Sequence, residues 1–341
     1  MFWYSIASLT PAIFLFLACL RGGPWPLIAL LSITVVVFCF DRLSRRLPVR
    51  NTSGRVLSLT LAAVHFTLLP LGVWALGASD TLNVTDKLLI YIGLGLFLGQ
   101  ISNSNAHELI HAASKWPRRI GTAIYCSLLH GQHVAAHLRV HHIYVATEHD
   151  PNSARLGEGF YTYALRALKG EFMAGLRADT RQRRGKRHLL SHPYVTYVAG
   201  ALITLAASFA VAGARGVVAM LALAVYAQMQ LLLSDYVQHY GLRRRVLETG
   251  EFEPVGPMHS WNSPRWFSSL LMLNAPRHSD HHAHPMTPYI GLTITPDMPL
   301  WPRGLPTMAT LALFPRTWRR VMDRRVDRVM RQIENSSAPS D

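Results

Sequence analysis

The sequence predicts an all-α integral membrane protein: six transmembrane helices beneath a cytosolic, histidine-rich helical cap. Three observations predict it. Charged residues make up only 16% of the 341-residue chain and hydrophobic residues 50%, whereas a soluble domain carries about 25% charged residues. Six apolar segments meet or approach the roughly 20 residues needed to cross about 30 Å of hydrocarbon. The connecting loops alternate in charge, as the gathering of Lys and Arg on the cytoplasmic side requires.

The first span, 2–20, opens with "MFWYS". It has no basic leader and no small-residue cleavage site, so it reads as a retained span and not a signal peptide. "RGGPWP" then turns the chain tightly into the second span, 25–41. The loop 41–55 has five Arg against one Asp and belongs inside; the third span, 56–78, follows. The loop 79–87, with two Asp and one Lys, belongs outside, before the fourth span, 87–105. A cytosolic stretch, 106–192, leads to the fifth span, 193–213; the turn "GARG" and the sixth span, 216–236, complete the set. A second cytosolic part, 237–333, ends in a segment whose Trp318, Val321, Met322, Val326, Val329, Met330 and Ile333 share one helical stripe opposite Arg, as in an interfacial or cap helix. Residues 1–333 read as one domain, and the polar "ENSSAPSD" of 334–341 as a disordered tail.

This topology accounts for the formal net charge of +15. The excess sits on inner loops beside anionic lipid, so it does not indicate a nucleic-acid partner. A basic inner surface can also dock an acidic soluble protein. The three Cys are widely spaced with no CxxC pair, which excludes a zinc knuckle, an iron–sulfur ligand set and a disulfide framework. Any redox centre must use other ligands.

Those ligands are histidines, of which the chain has 17. Nine gather at or just beyond the inner ends of spans: His107 and His111 in "HELIH", His137, His141 and His142 in "HLRVHH", His239 in "DYVQHY", and His278, His281 and His282 in "RHSDHH". Spacings of three and four place side chains on one helical face. Alone, "HELIH" fits the zinc-peptidase pattern in which the Glu is the base. Nine imidazoles exceed the four ligands of a tetrahedral zinc; they suit two metal ions in a nitrogen-rich, non-haem site, with iron the natural choice. Glu108, Asp235 and Asp280 are carboxylates placed to orient ligands from the second layer. His130 and His133, two turns and one turn before His137, could substitute as ligands but read first as supporting or structural residues. His65, in mid-span, is a candidate for the substrate path or a bond between helices. A site where membrane helices end, fed with apolar substrate from the bilayer and electrons from the cytosol, describes an oxygenase or desaturase.

The set "NAHELIH", "HLRVHHIYVATEHDPNSARLGEGFY", "DYVQHYGL" and "RHSDHH", with "LPTMATLALFPRTWRRVMDRR" towards the end, resembles the membrane-bound alkane hydroxylases (alkane 1-monooxygenases), within the membrane di-iron desaturases and hydroxylases. The resemblance implies two non-haem irons held by His107, His111, His137, His141, His142, His239, His278, His281 and His282. It implies dioxygen as co-substrate and hydroxylation of a terminal alkane methyl. It also implies electrons from a rubredoxin or ferredoxin-type donor with a NAD(P)H-dependent reductase, and a bacterial inner membrane with the site on the cytoplasmic side. The family commonly has Glu where this chain has Ala136 and Gln238, which puts substrate range and rate in question. Aromatic-methyl hydroxylases share the boxes; an acyl desaturase or decarboxylase is the nearest chemical rival, and a membrane zinc peptidase a more remote one.

Overall fold

The structure, a computed structural model, describes residues 1–43, 54–183 and 188–335. The middle of the Arg-rich loop 41–55 and residues 336–341 of the expected tail lie outside that range; 334 and 335 extend the last helix. Among the described residues there is no β-strand. Among the described residues, four helices are long and apolar enough to cross a membrane: α1 (Phe2–Arg21), α3 (Arg55–Gly77), α4 (Val84–His111) and α8 (Pro193–His239). The second expected span is the shorter apolar α2 (Trp25–Phe40). It breaks at Thr34, whose ψ of -77° leaves the helical range and whose hydroxyl donates to the Leu30 carbonyl.

The expected fifth and sixth spans are the two arms of α8. At Ala212 and Gly213 the backbone leaves helical geometry, and Gly213 takes the positive φ of 58° that a residue without Cβ tolerates. There the chain folds back. A Cβ on Gly216 would lie 2.2 Å from the Ser208 carbonyl oxygen, whereas eight residues of straight helix span about 12 Å. Both arms return to one end of the molecule: a Cβ on Gly131 would meet Tyr197 of the first arm, and Gln228 of the second donates to the Leu128 carbonyl.

Helix α4 runs past the apolar stretch 87–105 through "NSNAHELIH" because its polar side chains find partners. Asn103 donates to the Ala227 carbonyl at 3.0 Å and Asn105 to the Ser58 carbonyl at 2.9 Å. Its start is fixed by a reciprocal cap between Asn83 and Asp86. Midway, residues Phe97–Ser102 form a π-helical stretch, a feature that concentrates near functional sites.

Between the long helices lie α5 (Lys115–Ser127), α6 (133–144) and α7 (Phe160–Gln182). The short α9 (Trp266–Leu271) and α10 (His278–Ala283) follow, then α11 (Leu305–Ala312) and α12 (Pro315–Asn335). Five residues of the apolar stripe of α12 are buried: Trp318, Met322, Val326, Val329 and Ile333. Trp318 is fully buried against Tyr236 and Tyr240 at the end of α8, and the Tyr240 hydroxyl donates to Asp323 at 2.7 Å.

Candidate metal centre

Four helical ends converge at one place: the last turn of α4, the centre of α6, the end of α8 and all of α10. In α6 the stretch His137–His141 is π-helical, so His141 and His142 are turned differently from His137 than a regular α-turn would allow. The nine histidines of the four sequence clusters assemble into two groups. His107, His111, His137, His142 and His281 form one; His141, His239, His278 and His282 form the other.

The spacing of ring nitrogens shows what each group can do. His137 Nε2 lies 2.9 Å from that of His107 and 3.0 Å from those of His111 and His142; His281 Nε2 lies 3.2 Å from that of His142. In the second group, His278 Nε2 lies 3.0 Å from the Nε2 of both His239 and His282. One imidazole nitrogen carries one proton or one lone pair, so three close nitrogen neighbours around His137 Nε2 cannot all be hydrogen-bonded to it. Lone pairs aimed at a common point are the arrangement of metal ligands. His141 Nε2 has no hydrogen-bond partner although its atom is buried. The donor set, all imidazole and almost dry, fits a first-row transition metal such as iron.

Electrostatics agree. Burial, then the neighbouring imidazoles, hold His137, His142, His278, His281 and His282 well below the ordinary imidazole value. In these rings the shift favours the neutral form, the one that can ligate. His141 departs from them: burial works against its charge, but the Asp150 carboxylate outweighs it and raises the ring. Asp150 Oδ2 sits 2.9 Å from His141 Nδ1, and the same carboxylate accepts from the Ser153 hydroxyl at 2.6 Å and the Asn152 N–H at 3.0 Å. Burial opposes ionisation of Asp150, but His141 and Ser153 hold it below the usual carboxylate range.

The three carboxylates singled out from the sequence have other partners. Glu108 accepts the Tyr289 N–H at 3.2 Å. Asp235 accepts from Asn152 at 2.9 Å. Asp280 faces His284 Nδ1 at 2.8 Å and accepts from Thr293. The residue sequence reasoning missed is Asp150, although "HDPNS" offered a signal, since an Asp two before a turn Asn often accepts local N–H groups. Glu171 of α7 was missed as well; it is fully buried against His130 and His133. Both His have thus become a cluster of their own. His65 pairs with the Ser127 hydroxyl at 2.8 Å, joining α3 to α5. At the two positions where Glu was expected, Ala136 is buried near α7 and Gln238 donates to the Ala275 carbonyl at 3.1 Å.

A cavity of about 920 Å³ runs up to this centre. Its wall includes His107, His137 and His278, with Val37, Leu96, Tyr226, Met272 and Met308 along its apolar part. Glu108 does not line it.

Comparison with known proteins agrees with this geometry. Residues 87–293 match the family model described as fatty acid desaturase. The chain is 33% identical over 276 residues to alkane 1-monooxygenase 2 of Pseudomonas aeruginosa, covering 80% of this chain and 73% of the relative. It is 32% identical over 275 residues to alkane 1-monooxygenase 1 of Alcanivorax borkumensis, covering 80% and 68%. Likeness to the xylene/toluene monooxygenase hydroxylase component XylM of Pseudomonas putida is lower, 26% over 218 residues, or 62% and 57% of the two chains.

Proposed function

Because the chain belongs to the alkane hydroxylases of the fatty acid desaturase family, we propose that it hydroxylates the terminal methyl of alkanes to 1-alkanols with dioxygen. It is an oxidoreductase of the alkane 1-monooxygenase type. The observation that carries the substrate reading is the apolar cavity, which touches imidazoles of both groups. A saturated chain offers no polar handle, so shape must select it.

In this reading His107, His111, His137, His142 and His281 hold one iron, and His141, His239, His278 and His282 the other. When bound, the irons supply activation of dioxygen and attack on an unactivated C–H bond, with two electrons drawn from outside. The protein supplies the rest. Val37, Leu96, Met272 and Met308 would hold the alkane and keep water away, so that only its end reaches the imidazole ligands. Asp150 orients His141 through Nδ1 and keeps Nε2 directed at the metal. The electron donor is a rubredoxin or ferredoxin-type protein fed by a NAD(P)H-dependent reductase. The topology is six spans in a bacterial inner membrane, α2 and the two arms of α8 completing the set, with the metal centre on the cytoplasmic side.

A zinc peptidase would need Glu108 to face substrate beside the metal. Its contact with the Tyr289 backbone and its absence from the cavity wall oppose that role. The test is direct: measure iron and zinc in the purified protein, supply a rubredoxin system and medium- and long-chain alkanes, and analyse products. Iron with 1-alkanols is the expected result. Zinc without iron, or alkenes as products, would overturn the reading.

A further inference from the structure

Next to the two groups lies a third cluster that the alkane reaction leaves unused. His130 and His133 are 2% exposed and Glu171 is 0% exposed. The geometry points to a third metal-binding site, in which His130 Nε2, His133 Nδ1 and the Glu171 carboxylate hold a divalent first-row transition metal, zinc or iron(II).

The donor atoms converge as those of the nine-histidine centre do. His130 Nε2 lies 2.8 Å from Glu171 Oε1 and His133 Nδ1 lies 3.2 Å from Glu171 Oε2. The nitrogen-to-nitrogen spacings in the two larger groups are 2.9 to 3.2 Å. The shorter contact is an ion pair that lacks hydrogen-bond alignment, so the His130 nitrogen and the Glu171 oxygen face each other as two donors to a shared cation would.

The groups behind the donors are those of a built site. Asn152 Nδ2 donates to Glu171 Oε2 at 3.2 Å and to Asp235 Oδ2 at 2.9 Å, tying two buried carboxylates together. Such outer contacts orient ligands. Two imidazoles and a carboxylate form a set that both zinc and non-haem iron(II) accept. The ion would fasten α7, which carries Glu171, to α6, which carries His133. There His133 stacks on His137 with ring centres 5.3 Å apart.

Metal counting tests this on the full-length protein. Purified parent, Glu171→Gln and His130→Gln proteins are loaded with zinc or iron(II) without oxygen, separated from free metal and assayed for metal per chain. Each variant is expected to hold one equivalent less than the parent, with the iron Mössbauer spectrum of the remaining centre unchanged. Equal metal content in all three overturns the proposal and leaves a metal-free carboxylate–imidazole clamp. Loss of more than one equivalent overturns it too, because Glu171 would then support the larger centre. A parent that takes up only two equivalents when saturated overturns it without any variant. The readout is independent of product formation, so failure of the alkane reading and failure of this site are told apart.

Discussion

His137 and His141 stack with ring centres 5.2 Å apart, 30° from parallel, yet they belong to different metal groups. One π-helical turn therefore serves both. If the groups hold separate ions, single substitutions should empty them separately. His141→Ala is expected to lose one metal equivalent and all hydroxylation while His107, His111, His137, His142 and His281 keep theirs. Metal analysis of His141→Ala beside His137→Ala checks this. Loss of every metal in both would show one indivisible cluster instead.

Among the described residues, His141 is the one of the nine histidines that Asp150 meets at hydrogen-bond distance. Replacing Asp150 with Asn keeps the size but removes the charge that fixes the Nδ1 proton. By the usual effect of such outer partners, metal affinity or activity should fall about 10- to 100-fold. The change should appear in metal titrations of Asp150→Asn and be smaller in Ser153→Ala, which removes one hydrogen bond to the carboxylate. An Asp150→Asn protein with parental affinity would deny the carboxylate this role.

The contrast between Asp150 and the expected carboxylates shows what the sequence could tell. Eight of the nine histidines were legible because their spacing of three, four and one is local, and helices carry local spacing into space; His239 was marked only by its place at the end of an apolar run. Glu108, Asp235 and Asp280 were chosen by nearness along the chain. Glu108 instead meets Tyr289 and Asp235 meets Asn152, contacts that span 181 and 83 residues. Glu171 meets His133 across 38 residues, and no periodicity records that meeting. The apolar lengths of α1, α3 and α4 were equally plain, since hydrophobic runs announce themselves. The partners that carry α4 on through its polar stretch were not, because Asn103 meets Ala227 and Asn105 meets Ser58 across 124 and 47 residues.

Metal loading should depend on pH in a direction set by burial. His137, His142, His278, His281 and His282 are held well below the ordinary imidazole range. A lowered value favours the neutral, ligating form, so protons compete with metal only at lower pH than for a free imidazole. His141 runs the other way, since Asp150 raises it. With five depressed rings against one, the midpoint of metal loss on acidification is expected below the ordinary value of about 6.5. Equilibrium dialysis across pH 4 to 8 (roughly two units either side of that value) would show it. A midpoint above the ordinary value would contradict the burial argument.

The cavity makes chain-length selectivity adjustable from two sides. Val37 is 2% exposed and Met308 is 0% exposed, and both line the apolar part of the wall. Val37→Phe adds a ring where the chain would lie, while Met308→Ala removes most of a flexible side chain. One methylene more or less in an apolar pocket is worth about 1–3 kcal/mol, or roughly 10- to 200-fold in kcat/KM. Val37→Phe should therefore shift the preferred alkane to shorter chains and Met308→Ala to longer ones, with metal content unchanged in both because neither residue is one of the nine histidines. Competition assays with mixed alkanes, read as the distribution of 1-alkanols, measure the shift. Shifts in the same direction, or none, would mean that the alkane reaches the centre by another path.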